Sequence, residues 1–189
     1  MIFTASKSVV TDRGLPPDSF LLALVAWARS APDEIFAPND TPADIFTLIR
    51  PKLGNADGKW DNLLHRKAAM LEAMRVHAGY ESSWNWNEGV DVTNHTSMAH
   101  IEGQETGIFQ VSWDSTRLGQ PVRDFASVRG ILADIPAFIA RMKSDHPLAL
   151  EYYARLVRVN IRWAGPLLHG HILKDLQPDA VEEFKALLS

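Results

Sequence analysis

Residues 61–87 read DNLLHRKAAMLEAMRVHAGYESSWNWN, and the reading of this stretch decides the fold class. Leu64, Ala68, Leu71, Met74 and Ala78 recur at spacings of three and four, the period of a helix. Asp61 stands where an N-cap is wanted and Gly79 loosens the far end, so a long core helix is expected over about 61–80. Glu81 then falls at or just beyond the C-terminus, where the negative end of the helix disfavours a carboxylate. The string that follows, Glu81-Ser82-Ser83-Trp84-Asn85-Trp86-Asn87, joins one carboxyl group to small polar side chains and indoles. Such a mixture suits a general acid acting on a sugar. Glycosidic cleavage needs a carboxylic acid that donates to the leaving oxygen, and indoles give sugars flat apolar faces. A surface Glu after a helix stop is the plain alternative. His77, one turn before Glu81, reads as a half-buried packing residue.

Outward from this helix the pattern stays mainly α. A first helix is expected over 18–30, capped by Asp18 or Ser19, and a short one over 42–49, ended by Pro51. Gly54, Asn55, Asp57 and Gly58 read as a turn. Residues 82–116 carry no convincing helix and read as a long loop with short strands, the best being Gly107–Ser112. Val128, Ile131, Leu132, Ile135, Phe138, Ile139 and Met142 keep helical phase, with Pro136 expected to kink or split that helix. Further helices are expected over 147–160 and 178–188, with Gly165 and Pro166 ending the regular pattern between them. The expectation is one domain over 1–189, with residues 1–60 an N-terminal helical extension and 61–189 the functional core.

Composition narrows the chemistry. The 189 residues hold no cysteine, which excludes a disulfide framework, a thiolate zinc site, a Cys nucleophile and a CxxC redox pair. The net charge of −4 argues against a nucleic-acid-binding face, and no nucleic-acid partner is expected. The charge is uneven. Residues 76–116 hold no Lys or Arg and six acids, Glu81, Glu88, Asp91, Glu102, Glu105 and Asp114, beside three of the six tryptophans. A purely solvating loop has no use for those indoles, so a carboxylate-lined site is the sharper reading. The longest apolar run, Phe20–Ala28, is too short to span a bilayer. Asp12, Pro16, Pro17 and Asp18 precede it, unlike the start of a signal peptide, so cytoplasmic synthesis without a cleaved signal is expected.

Twenty-six positions after Glu81 comes Gly107-Ile108-Phe109-Gln110-Val111-Ser112. Alone it is a buried strand with one outward Gln. The pair, a helix-terminal Glu-Ser and then Gly-apolar-apolar-Gln-apolar, resembles the lysozyme-like superfamily, in style closest to goose-type lysozymes and lytic transglycosylases. Those families carry Glu-Ser at the end of a central helix and a Gly-Leu-Met-Gln strand after it; here Phe109 replaces Met. By motif the resemblance covers about 81–115, and by helix order 61–189. It implies a mainly α (α+β) fold, a central helix bundle with a small strand-and-loop lobe. It also implies Glu81 as general acid/base, Gln110 on a cleft-lining strand and Ser112 close beyond. Trp84, Tyr152 and Asn160 are taken as further sugar-contacting residues, with at least one of Tyr152 and Tyr153 in the core. The 29 positions from Glu81 to Gln110 exceed the family's usual spacing, and no motif selects a second carboxylate. Asp91 and Glu105 are preferred slightly over Glu102. An inverting hydrolase needs such a group about 6.5–9.5 Å from the acid and a retaining one a closer nucleophile; transglycosylases manage with one Glu.

The expected activity is cleavage of β-1,4 bonds in peptidoglycan by a glycoside hydrolase or lytic transglycosylase. A chitinase or chitosanase on the same fold, or a noncatalytic glycan- or protein-binding module, is the alternative. The anionic polymer is repelled by the acidic segment, whereas an oxocarbenium-like transition state is favoured by it. No cofactor is expected. The acids of 81–114 are of the class that binds Ca²⁺, but no EF-hand pattern occurs, and His169-Gly-His171 lacks a third ligand at metal spacing. Partners follow from the activity: a polysaccharide substrate, and a cognate immunity protein if the chain is a bacterial effector rather than a phage endolysin. A monomer without a membrane span is expected.

Overall fold

The computed structural model describes residues 3–39, 43–89 and 100–189, and among them it holds eight α-helices and no strand. The helices are α1 (Asp18–Ser30), α2 (Ile45–Leu53), α3 (Leu63–Ser82), α4 (Gln120–Val128), α5 (Ile135–Ser144), α6 (His146–Val159), α7 (Gly165–Leu168) and α8 (Pro178–Leu188). Short 3₁₀ turns cover Asp33–Ile35, Ile101–Gly103, Trp113–Arg117 and His171–Lys174. The mainly α class is as expected. The expected strand over 107–112 is not formed, because Thr106 and Val111 pair as an isolated antiparallel bridge around a tight reversal.

Helix α3 is the axis of the molecule. Fifteen of its twenty residues are buried, so both faces pack, and the one-sided stripe seen in sequence was too narrow. Small side chains at Ala68, Ala69, Ala73, Ala78 and Gly79 make this packing close. A Cβ at Gly79 would meet the Trp84 ring at 2.8 Å. Helix α8 packs extensively along α3, while α1 reaches α3, α6 and α8. Buried apolar residues from Phe3 to Phe184 form one cluster, in which Phe3, Val10 and the buried faces of α1 and α2 pack together with α3.

Local signals explain most boundaries. Asn62, not Asp61, caps α3, its Oδ1 accepting the His65 amide at 2.9 Å. Helix α1 begins after Pro17 without a side-chain cap. Pro51 does not end α2, which runs on because buried Leu53 anchors its last turn; Asp44 caps its start. Pro136 kinks nothing. It sits in the first turn of α5, where its missing N–H is harmless, and Asp134 caps that helix through the Ala137 amide at 3.1 Å. The single helical phase over 128–142 is thus divided between α4, a connecting turn and α5.

Two buried polar networks tie the N-terminal segment down. Arg158 donates to Asp44 at 2.9 Å and to the carbonyls of Ile35 and Ala37, while Arg66 holds Phe36 and Ala37. Burial pushes the Asp44 carboxyl up, and Arg158 opposes this. On the other side Arg75 forms a two-pronged pair with Glu72, at 2.7 and 2.8 Å, and also donates to the Ser8 and Asp175 carbonyls. No helix among the described residues is long and apolar enough to cross a membrane.

Candidate active site

The end of α3 is built by an unusual reversal. Ser83 and Trp84 both take left-handed backbone, φ 51° and 61°, and their amides return to the Gly79 and Ala78 carbonyls. Neither residue is glycine, so the turn costs about 1–2 kcal/mol per residue. Trp84 offsets it: the ring is buried against Gly79 and its Nε1 donates to the Arg75 carbonyl at 2.9 Å. The reversal leaves Glu81 in the last turn with its side chain 17% exposed.

The Gly107-Ile108-Phe109-Gln110 string closes on this helix end. Ser82 Oγ donates to the Ile108 carbonyl at 2.8 Å, and the Gly107 amide donates to the Glu88 carbonyl at 2.9 Å. Gly107 has φ 70° and a Cβ there would lie 2.9 Å from the Met142 carbonyl oxygen, so conformation and space both call for glycine. Gln110 has φ 47° and is buried, and its Nε2 donates back to the Gly107 carbonyl at 2.9 Å. The Gln therefore holds the reversal rather than facing outward from a strand. Of the four non-glycine residues with positive φ among those described, Ser83, Trp84 and Gln110 lie here. Such backbone strain gathers where surrounding structure enforces a functional geometry.

Behind Glu81 stands a buried relay that the sequence reading did not assemble. His77 is fully buried, and its Nε2 lies 2.8 Å from Glu81 Oε1, at ion-pair distance but off the line of an aligned hydrogen bond. Its Nδ1 lies 2.8 Å from the Tyr153 hydroxyl. Burial pushes the Tyr153 hydroxyl well up, with the Glu81 charge adding to it, so the phenol keeps its proton. If Nδ1 donated, that phenolic proton would be buried without an acceptor. Tyr153 therefore donates, and the imidazole N–H sits on Nε2, facing Glu81. Phe109 stacks on Tyr153 at 3.7 Å between centroids, and Trp163 sets its ring edge-on to His77 and Tyr153. Oε2 of Glu81 has no hydrogen-bond partner among the described residues.

The remaining candidates separate. Trp84 is core, so its indole offers no open face for a sugar. Trp86 is half-buried and stacks on His146 at 3.8 Å. Tyr152 is fully buried, its hydroxyl 2.6 Å from Ser115 Oγ and edge-on to Phe138; the residue beside it, Tyr153, is the one coupled to Glu81. Asn160 follows α6 and its Oδ1 accepts the Arg162 amide at 2.8 Å. Ser112 is half-buried and opens the 113–117 turn. Glu105 is half-buried directly before the reversal, Glu102 lies in the 101–103 turn, and Asp91 lies outside the described residues. The His169 and His171 rings are 5.6 Å apart, and no group of three His, Asp or Glu side chains is placed to hold a metal among the described residues. His77 was visible in sequence only as an i, i+4 neighbour of Glu81; Tyr153 and Phe109 reach it across the fold.

Ser82→Ala leaves the buried Ile108 carbonyl without its donor. A loss of about 1–3 kcal/mol is expected in urea unfolding. Comparison of the chain with protein-family models, curated proteins and solved structures finds no match.

Proposed function

We propose that this chain is a lysozyme-like glycosidase that cleaves β-1,4 bonds of peptidoglycan, with Glu81 as its general acid/base. The observation that carries the proposal is the clasp between the Glu81-Ser82 helix end and the Gly107–Gln110 reversal, closed by Ser82 Oγ on the Ile108 carbonyl at 2.8 Å. It supports reading the two separate strings of the sequence as one site. The His77–Tyr153 pair supports the same reading. It sets a buried imidazole nitrogen 2.8 Å from Glu81 Oε1 while the Glu81 side chain keeps 17% exposure.

In the proposed step, protonated Glu81 donates through Oε2 to the glycosidic oxygen as the bond to the anomeric carbon breaks. The developing positive charge is favoured by the base-free acidic segment of 76–116. The carboxylate then takes a proton from the incoming nucleophile. That nucleophile is water in a hydrolase and the muramyl 6-hydroxyl in a transglycosylase. Glu105 and Asp91 are the candidates for an assisting carboxylate.

The polymer is tested by incubating the protein with purified sacculi, chitosan and chitin and measuring soluble glycan products. Release from sacculi is expected. Products from chitosan alone would move the assignment to a chitosanase, and glycan binding without products to a noncatalytic module.

Tyr153→Phe removes the donor to His77 Nδ1 and frees the imidazole to change tautomer. Activity is expected to fall about tenfold, with little change in KM and a displaced alkaline limb of the pH–rate profile, the limb on which a general acid loses its proton. An unchanged profile would make Tyr153 a packing residue only.

A further inference from the structure

Away from Glu81, a cavity of about 460 Å³ opens between the 54–60 turn and the first turn of α3, lined by Arg50, Lys59, Trp60, Asn62, Leu63 and Arg66 among others. No acid stands among its described lining residues. Arg50 and Lys59 are exposed and make no ion pair among the described residues.

Arg66 is the informative residue. It is 6% exposed, yet among the described residues no carboxylate lies within ion-pair distance of it; Asp44, whose charge reaches it, is bonded to Arg158 at 2.9 Å. Its Nε and Nη2 donate to the Phe36 and Ala37 carbonyls, and its guanidinium lies 3.7 Å from the Phe46 ring centroid. Nη1 has no hydrogen-bond partner among the described residues. Burial and the neighbouring Arg158 lower the Arg66 pKa to about 10, with the Asp44 charge opposing them. A buried cation that shares its nearest acid with a second arginine is costly, and a ligand anion would relieve that cost.

The walls are set in advance. Asn55 Oδ1 accepts the amides of Asp57 and Lys59 at 3.1 and 2.9 Å, which fixes the turn carrying Lys59 and Trp60. The nearby acid Asp61 is engaged by Asn55 at 2.8 Å and by His65 at 3.0 Å. Trp60 is half-buried, held edge-on by Phe46 and His65, and offers an apolar wall beside the three cations.

We propose that this cavity binds a small anion carried on a flat apolar ring, an aryl phosphate or aryl carboxylate. The anion would meet Arg66 Nη1 between Arg50 and Lys59, and the ring would lie against Trp60 and Leu63. The site is independent of the glycosidase reading.

The test is calorimetric titration of the full chain with 1-naphthyl phosphate, 1-naphthoate and the neutral 1-naphthol. At least one anion should bind saturably with a Kd of about 1 mM or tighter, and the naphthol should not. The stronger anion identifies the headgroup. The double variant Arg50→Gln/Lys59→Gln, altered only at exposed positions, should weaken binding at least about tenfold, and Glu81→Gln should leave it unchanged. Failure of both anions to bind, equal binding by the double variant, or loss of binding in Glu81→Gln would each overturn the assignment.

Discussion

Glu81→Gln is expected to lower glycan cleavage by about two to four orders of magnitude while the protein stays folded. Gln keeps the shape of Glu and an oxygen for His77 Nε2, which lies 2.8 Å from Oε1. It lacks an acidic proton for the leaving oxygen. The thermal midpoint should move by no more than about 2 °C, since the site is at the surface end of α3 and no packing is lost. The defect should depend on the leaving group. Aryl glycosides with activated leaving groups need little protonation and should lose far less rate than the native polymer. A uniform loss across substrates would point to binding rather than acid catalysis.

The largest effect on stability is expected from Arg75→Met. Glu72 and Arg75 are both sealed from solvent, and their carboxylate–guanidinium pair is further joined by the Gln177 amide at 2.7 Å. Removing one partner of a buried pair costs about 3–5 kcal/mol, because the other charge is left unpaired. Burial already pushes the Glu72 carboxyl up, and Arg75 pulls against it. Without Arg75 the folded pKa rises further above the unfolded value. Below the unfolded pKa, Glu72 is protonated in both states and the variant escapes the charge penalty. As pH rises, the unfolded chain ionises first and stability is lost. The destabilisation should therefore be larger at pH 7 than at pH 4 in urea unfolding. The double variant Glu72→Leu/Arg75→Met should recover part of it. The pair matters to the site because Arg75 also holds Ser8 and Asp175 through their carbonyls, and its own carbonyl receives the Trp84 indole.

Much of this was legible in the residues. Helical spacing located α3, and its amphipathic core positions Leu71, Met74 and Ala78 are buried as expected. Glu81 falls in the last turn as read, and the two motif strings meet in space. What failed did so for physical reasons. A run with Ile108, Phe109 and Val111 looks like a strand, because apolar periodicity in six residues cannot register positive φ at Gly107 and Gln110. Of the kink or split expected at Pro136 the split occurs, but the break lies before the proline, where Asp134 restarts the helix. The adjacent tyrosines differ only by which face of α6 they occupy. Tyr152 turns to Phe138 and Ser115, and Tyr153 to His77 and Phe109. No local signal tells them apart. The cation cluster at Arg50, Lys59 and Arg66 is equally invisible, since only the fold reveals that Arg66 is buried with no acid at ion-pair distance among the described residues.

The central claim is that Glu81 supplies the proton for glycan cleavage. It is tested most directly by mass spectrometry of sacculi digested side by side with the wild-type chain and with Glu81→Gln. The account predicts new glycan ends with wild type, anhydro-muramyl for a transglycosylase or reducing for a hydrolase, and intact sacculi with the variant. Equal yields of new ends from both proteins, or no new ends from the wild type, would contradict it.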